Sequence, residues 1–337
     1  MSDYDWSIYD REWYEWPPKR QGEFLTDTLE LYGDPVALAW FPHSTLPPKL
    51  ERYIYKGELK MVHCQFMQRA RFRGETYILE RDLSRPAPPV CNGDAYVGLC
   101  ELDERLEPGL THSRTDSASG QSARLGIFGS PVASRRSLIH NYHIVPNDIK
   151  YFAIAPLNDC PFDPDVVTIT CTPRQATMAS RALQYYTGKA TIGETGPGTC
   201  SSSWVASYLT GEPRYTLGCH AVFGTMGIDP TEVCLSIPGE QMTTLCQVLE
   251  LWKEGGKPLF QEAPPNEERG YIKAPYEGPY RAHARIQFER GIRSPEKDDN
   301  EPRYIPWNDR RKKNIRTLDN GELSRAKVSC SRNLTII

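Results

Sequence analysis

Four cysteines in two similar segments are the residues whose types and spacing indicate chemistry. Cys64 begins a helix-like stretch that ends at Gly74-Glu75, and Cys200 begins a similar stretch that ends at Gly211-Glu212. A further cysteine follows each segment, which gives the set Cys64, Cys91, Cys200 and Cys219. Because thiolates bind soft metals, the arrangement predicts a metal site in a fold made of two duplicated halves.

The sequence around Cys200 favours a thiolate. Several glycines precede this cysteine, and three serines that can cap a helix follow it. The positive end of a helix dipole favours the charged form of a thiol, and nearby glycines let backbone N–H groups donate to a cluster sulfur. Histidines beside the candidate ligands can act as hydrogen-bond donors or alternative ligands. The predicted supporting residues are Gly196, Gly198, Ser201, Gly218, His63 and His220.

The spacing of the cysteines leaves other chemistries open. The chain contains no C-x2-C, so it has neither a zinc-ribbon nor a ferredoxin pattern. Cys200 with His63 or His220 could form a nucleophile and base. Cys171, Cys234 and Cys246 lie in apolar runs and are predicted to be core residues.

Strands and helices alternate clearly in the middle of the chain. An apolar run over residues 36–41 predicts a buried strand, and residues 151–157, 165–171 and 232–237 are also strand-like. Thr172-Pro173 predicts the start of a helix, as N-cap and first helical residue. A second helix follows Pro238-Gly239. The two strand–helix units can be aligned with each other, which also suggests a duplication.

Composition narrows the class of protein. The 337 residues carry a net charge of −3, which argues against nucleic acid as a partner, and no stretch is long and apolar enough for a membrane span. The ten cysteines lack the dense spacing of a disulfide scaffold, so we expect a cytoplasmic protein. From Arg281 onward the chain has 14 Lys/Arg and 8 Asp/Glu, a net +6 that leaves −9 on residues 1–280.

The two ends of the chain differ from its middle. Residues 1–22 form an aromatic arm that contains three of the seven tryptophans. Residues 103–137 are predicted to be a long polar loop. Residues 257–337 are rich in Pro, Arg, Glu and Asn and are predicted to form an extended C-terminal arm. We expect a duplicated core over 23–256 and contacts of both arms with its surface or with another subunit, as in a homo-oligomer or a larger enzyme complex.

The segments of residues 25–255 resemble the domain of unknown function 169 family of bacteria and archaea, many of them anaerobes. The resemblance lies in Pro35–Phe41, His63-Cys64-Gln65, Cys91-Asn92-Gly93, Pro164–Ala176, Cys200 and Leu217-Gly218-Cys219. The family's recurring cysteines fall on the four candidate ligands. Its usual small-Gly-x-Arg after the last cysteine is replaced here by His220-Ala221-Val222-Phe223, so an anion-binding arginine is not expected.

Together these features predict one α/β domain (mixed α+β being the alternative) of two pseudo-duplicated halves, with the cysteines converging where the halves meet. The resemblance to a family of anaerobes implies an iron–sulfur cluster, [4Fe–4S], in a redox or cofactor-bearing subunit of an anaerobic metabolic enzyme. Two alternatives remain open. One is a zinc-stapled scaffold, and the other is an enzyme that uses the metal as a Lewis acid.

Overall fold

The fold is taken from a computed structural model. It describes most of the chain as far as residue 255. The described residues are 15–42, 46–57, 61–81, 93–100, 132, 133, 136, 139–145, 148–185, 187–196, 198–219 and 228–255. Cys91, His220, both predicted arms apart from residues 15–22, and nearly all of the predicted 103–137 loop lie outside these ranges. Within them no helix has the length and apolarity needed to cross a membrane.

A seven-stranded mixed sheet forms the centre of the described part. Its strands lie side by side in the order β2-β3-β1-β4-β7-β6-β5, and every neighbouring pair is antiparallel except β5 with β6. The strands are β1 Val36–Phe41, β2 Tyr77–Glu80, β3 Tyr151–Pro156, β4 Val166–Cys171, β5 Ile192–Gly193, β6 Arg214–Thr216 and β7 Val233–Pro238.

Helices cover both faces of this sheet. They are α1 Pro18–Thr28, α2 His63–Arg73, α3 Gly93–Tyr96, α4 Pro173–Gln184, α5 Ala206–Thr210 and α6 Met242–Glu254. A π-helical turn, Cys200–Val205, leads directly into α5, and short 3-10 turns span Pro48–Tyr53, Leu157–Asp159 and Gly239–Gln241. One buried core lies under α1, α4 and α6, and the other lies under α2, α3 and the Cys200 helix. The predicted α/β class is therefore confirmed.

Local sequence signals account for the elements that were predicted. All six side chains of β1 are buried, as a strand covered on both faces requires. At the start of α4, the Thr172 hydroxyl accepts a hydrogen bond from the Gln175 backbone N–H at 3.4 Å, and Pro173 takes the first helical position. The Gln175 amide also donates to the Leu29 carbonyl at 2.8 Å, which ties α4 to the end of α1.

The register of the strands shows that the core is duplicated. On one side of the central β1–β4 pair, Tyr77 of β2 lies opposite Ile154 of β3; on the other side, Arg214 of β6 lies opposite Ser236 of β7. The pairing of β1 with β3 repeats in the same way in the pairing of β4 with β7. Strands β2-β3-β1 and β6-β7-β4 are thus equivalent, and the two halves meet along β1 and β4.

The helix–glycine–strand units named from the sequence are equivalent in this symmetry. The helices end at Gly74 (φ 68, ψ 21) and at Gly211 (φ 66, ψ 21), in the left-handed conformation that glycine adopts without strain. The alignment of β4–α4 with β7–α6 does not follow the symmetry. Those two strands are hydrogen-bonded neighbours in one half, and their equivalents in the other half are β1 and β3.

The described end of the aromatic arm packs on the chain's own core. Trp16 is buried, its ring meets Phe24 edge-on at 5.1 Å, and the Arg20 guanidinium lies 3.6 Å from the ring centroid. Residues 18–22 of the predicted arm form the first part of α1. The tryptophan therefore extends the apolar layer beneath the helices.

The predicted core cysteines are buried thiols, and they should make stability depend on pH. Burial raises the pKa of the Cys234 thiol to about 12, and burial also raises the pKa of the Cys171 and Cys246 thiols from the ordinary value of 9.0. The folded state keeps these protons where the unfolded state releases them. Each thiol therefore stabilises the fold below pH 9, and this contribution is lost as the pH rises above it.

Cys246→Ala should weaken the alkaline loss of stability. Between about pH 9 and pH 11, each such thiol contributes a fall of about 1.4 kcal/mol per pH unit in the free energy of unfolding. Urea unfolding at a series of pH values should therefore give a shallower decline for Cys246→Ala than for the wild type, on top of a pH-independent packing loss. Parallel declines for the two proteins would contradict this expectation.

Candidate metal centre

Cys64 lies in the first turn of α2. His63 and Cys64 at this helix start are buried, and the Gln65 side chain accepts a hydrogen bond from the Val62 backbone N–H at 2.9 Å. This bond fixes the first turn and holds Cys64, which is 2% exposed, against the core. As the second residue of an eleven-residue helix, its sulfur lies at the positive end of the helix dipole.

His63 and Asp94 form a buried pair beside Cys64. The His63 Nε2 lies 3.5 Å from the Asp94 Oδ1, and the two side chains are 0% and 5% exposed. The His63 ring also packs against Phe152, with ring centroids 5.7 Å apart. Asp94 belongs to α3, which begins two residues after Cys91. The pair therefore connects the helix of Cys64 with the segment that follows Cys91.

The glycines before Cys200 are required by close packing. A β-carbon at Gly198 would lie 2.6 Å from the Tyr96 ring, and one at Gly196 would lie 2.6 Å from the Ser202 hydroxyl. Tyr96 is the last residue of α3, so the loop before Cys200 is packed against the segment that follows Cys91. Their close packing is an additional role for Gly196 and Gly198, which were predicted as backbone donors.

The serines after Cys200 do not cap its helix. Ser201 donates its hydroxyl to the Tyr142 carbonyl at 2.7 Å, and Ser203 donates to the Thr199 carbonyl at 2.9 Å. The N-cap position is held by Thr199, which makes no side-chain cap bond. The expectation of a serine cap was wrong because the helix begins at Cys200, before the serines. The hydroxyls of Ser201 and Ser203 therefore lie inside the helix and donate to carbonyl groups.

Cys219 lies in the second half of the fold, three residues after the end of β6. Gly218 before it has φ 105, and its N–H donates to the Thr216 hydroxyl at 3.3 Å. Cys219 is 9% exposed. It is close enough to Cys234 for its charge to raise the pKa of that thiol further, as a smaller effect than burial.

Three of the four predicted ligands belong to one buried core. Cys64, Cys200 and Cys219 all lie in the core under α2, α3 and the Cys200 helix, and Cys234 joins them there. Among the described residues, no three side chains of histidine, cysteine, aspartate or glutamate form a group that could hold a metal ion. The structure therefore brings the three cysteines to one layer of the fold without itself closing a ligand set.

Sequence reasoning missed Asp94, and it predicted Cys234 correctly as a core residue but not its place beside Cys219. Asp94 had a usable signal in its place three residues after Cys91, since a histidine near a metal often donates to a carboxylate. Cys234 had none, because a cysteine in an apolar strand is ordinarily a packing residue. Its place beside Cys219 depends on the pairing of β6 with β7.

Comparisons with known proteins identify relatives of this chain that are themselves uncharacterised. An uncharacterized protein of Methanocaldococcus jannaschii, MJ0308, is 24% identical over 196 residues, which cover 57% of this chain and 77% of that protein. No solved structure matches the chain. A family model described as uncharacterised ArCR, DUF169, matches residues 24–248, which include the whole sheet and the three described cysteines. The chain therefore belongs to the DUF169 family, the domain of unknown function that its motifs resemble.

Proposed function

We propose that this protein is a metal–thiolate protein whose centre is held by Cys64, Cys91, Cys200 and Cys219. The preferred occupant is a [4Fe–4S] cluster, in a redox or cofactor-bearing subunit of an anaerobic metabolic enzyme. The observation that carries the proposal is the equivalence of Cys64 and Cys200. They lie in the first turns of the corresponding helices of the two halves, and with Cys219 they belong to one core.

The chemistry of these residues fits a soft metal. A buried thiolate without a partner is costly, whereas a thiolate bound to a metal is neutralised by it. Cys64 lies in the first turn of α2, at the positive end of the helix dipole, and a bound metal would neutralise its charge in the buried core. Cys234 lies in a strand, where no helix dipole acts, and burial raises the pKa of its thiol. The two kinds of cysteine therefore suit different tasks.

The surrounding side chains would orient the ligands. The Asp94 carboxylate lies 3.5 Å from the His63 ring beside Cys64, and carboxylates that pair with a histidine near a metal orient its ring. When bound, an iron–sulfur cluster supplies one-electron transfer, and burial and hydrogen bonds to its sulfurs set its potential. The core around Cys200, with Trp204 fully buried one helical turn later, would exclude water from the centre.

Zinc is the second candidate occupant. The observation that favours it is that the proposed ligands come from both halves of the duplication, with Cys64 on α2 and Cys200 before α5. A closed four-cysteine zinc site would then join the halves and contribute directly to folding. In that case the protein would serve as a scaffold.

The proposal also covers the cellular location of the protein and its partners. Thiolate ligands persist in a reducing compartment, so we infer a cytoplasmic location. We also infer that residues 257–337, and the part of the 1–22 arm that precedes Trp16, bind a second copy of the chain or another subunit. The basic tail from Arg281 opposes the acidic remainder of the chain, which favours such a contact. Size-exclusion chromatography with light scattering tests this inference, since a monomer that co-purifies with no other chain at any salt concentration would contradict it.

Metal analysis tests the proposed function. Protein purified without oxygen should contain about four irons and four sulfides per chain and absorb in the visible, or else contain one zinc. Cys64→Ser and Cys200→Ser should lose most of this metal. Cys234→Ser is the matched control, because it removes a thiol from the same core and should retain the metal.

The outcomes separate the alternatives. Brown protein with the expected iron supports the cluster, and colourless protein with one zinc supports the scaffold. Wild-type protein without metal, or full metal in both Cys64→Ser and Cys200→Ser, would contradict the proposed function.

A further inference from the structure

Large apolar side chains are exposed at the outer edge of the sheet in the second half. This β5–β6 edge consists of Ile192, Tyr215 and Leu217, which are 43%, 37% and 54% exposed. Tyr215 is paired with Leu235, whose side chain belongs to the core under α1, α4 and α6. Leu217 lies two residues further along, on the same face of the sheet. In the second half, this face of the sheet therefore ends in apolar side chains that contact water.

The equivalent edge in the first half is covered. In the register of the two halves, Tyr215 corresponds to Ile78 of β2, which is fully buried. The 3-10 turn Pro48–Tyr53 contacts β2 there, and its Leu50 is buried in the same core as Ile78. The first half thus protects this edge with its own residues 46–54.

The second half keeps the backbone pairing of that segment but not the cover. The Tyr55 N–H donates to the Ile78 carbonyl at 2.8 Å, and the Glu194 N–H donates to the Tyr215 carbonyl at 3.0 Å, so the two pairings are equivalent. Residues 187–190, which precede the second pairing, are exposed and form no 3-10 turn. The β5–β6 edge therefore has no counterpart of the turn that covers the first edge.

A segment of the C-terminal tail repeats the sequence of the missing cover. Residues 47–54 read P-P-x-x-E-R-Y-I, and residues 264–272 read P-P-x-x-E-R-G-Y-I, so six residues recur in order with one inserted glycine. The tail segment lies outside the described residues. Since residues 47–54 cover one edge of a duplicated sheet, the repeated sequence suits the corresponding edge.

The buried residue of the first segment is replaced by a charge in the tail. Leu50 aligns with Glu267. The second edge offers a cation for this carboxylate, because Lys189 is exposed and lies three residues before β5, within about 11 Å along the chain. Tyr271 and Ile272 of the tail segment retain the apolar groups that would contact the β5–β6 edge.

We propose that residues 264–272 of a second copy of the chain bind the β5–β6 edge, in the place that residues 46–54 take in the first half. This inference rests on the part of the proposed function that assigns the tail to another chain. Burial of Tyr215 and Leu217, whose apolar groups are exposed in the single chain, stabilises the contact. A reciprocal exchange of the two tails closes a two-fold dimer.

Photochemical cross-linking of the full chain tests the proposal. With p-benzoylphenylalanine in place of Tyr215, we expect cross-links to residues 264–272. In a mixture of isotopically labelled and unlabelled chains, these should include pairs of one labelled and one unlabelled peptide. The same group in place of Lys56 is the matched control. Lys56 is exposed at the corresponding edge, which residues 46–54 already cover, so it should not cross-link to the tail segment.

Two results of this experiment would overturn the proposal. One is the absence of cross-links from the Tyr215 position to residues 264–272. The other is cross-linking to this segment only between peptides of the same label, because the segment would then bind its own chain.

A tail variant covers the case in which the substitution at Tyr215 disturbs folding. Tyr271→Ser/Ile272→Ser should raise the dissociation constant of the dimer at least about tenfold, as measured by analytical ultracentrifugation. Tyr276→Ser, in the same tail but outside the repeated segment, should leave the constant unchanged. An unchanged constant in the double variant would also overturn the proposal. All tail variants should keep the metal content of the wild type. Metal-free wild-type protein would therefore contradict the metal centre alone and leave this inference standing.

Discussion

Arg71→Met should destabilise the protein by about 3–5 kcal/mol, because it removes one partner of a buried ion pair. The Arg71 Nη2 lies 2.6 Å from the Glu232 Oε1, and its Nη1 lies 3.3 Å from the Oε2. The same guanidinium donates to the Thr170 carbonyl at 3.2 Å, and Arg71 is 2% exposed. Without it, the Glu232 carboxylate loses its cation in a low-dielectric interior. Urea unfolding at pH 7 measures the loss.

The position of this pair explains the size of the expected effect. Arg71 lies near the end of α2 in the first half, and Glu232 directly precedes β7 in the second. Removing either one therefore loosens the contact between the halves. The double variant Arg71→Met/Glu232→Leu should be more stable than Arg71→Met, because it leaves no buried charge without its partner.

A more exposed ion pair provides the comparison. Arg69 bonds to Glu75 through two guanidinium nitrogens, but their side chains are 28% and 19% exposed. Water can reach both charges after the change, so Arg69→Met should cost less than Arg71→Met by at least about 2 kcal/mol. Equal losses in the two variants would contradict the assignment of Arg71 as a buried tie between the halves.

Gly239→Ala should destabilise the protein by about 3 kcal/mol, near the upper end for overpacking. A β-carbon there would overlap the carbonyl oxygen of Pro164 and lie 2.9 Å from its carbon. The atoms that this β-carbon would meet are backbone atoms, so no side chain can turn away to make room for it. The Gly239 N–H also donates to the Asp165 carbonyl at 2.8 Å, which holds the turn after β7 against the start of β4. Thermal or urea unfolding measures the loss.

Gly211→Ala separates steric overlap from backbone strain. No atom lies within 4 Å of a β-carbon at Gly211, but its φ of 66 disfavours other residues. We therefore expect a smaller loss, about 1 kcal/mol, which is typical of a non-glycine residue in the left-handed region. A larger loss for Gly211→Ala than for Gly239→Ala would contradict this account.

The sequence by itself determined the local elements and the residue types of the site. The apolar run of β1, the threonine cap of α4 and the glycines that end the two equivalent helices are local signals, and each predicted its element. The repeated helix–glycine–strand pattern also predicted a duplicated fold. The burial of Cys171, Cys234 and Cys246 followed from their apolar neighbours.

The relation between the halves was decided by tertiary structure. The alignment of β4–α4 with β7–α6 failed because a strand followed by a helix is a common pattern, and symmetry is defined by hydrogen bonds between distant strands. Tertiary structure also decided three features of the site. The His63–Asp94 pair and the closeness of Cys219 to Cys234 bring together residues from different elements, and the π turn that begins at Cys200 depends on the phase of its helix. Local side-chain preferences carry no information about such contacts. The free energy of a tertiary contact comes from burial against partners that only the folded chain brings together.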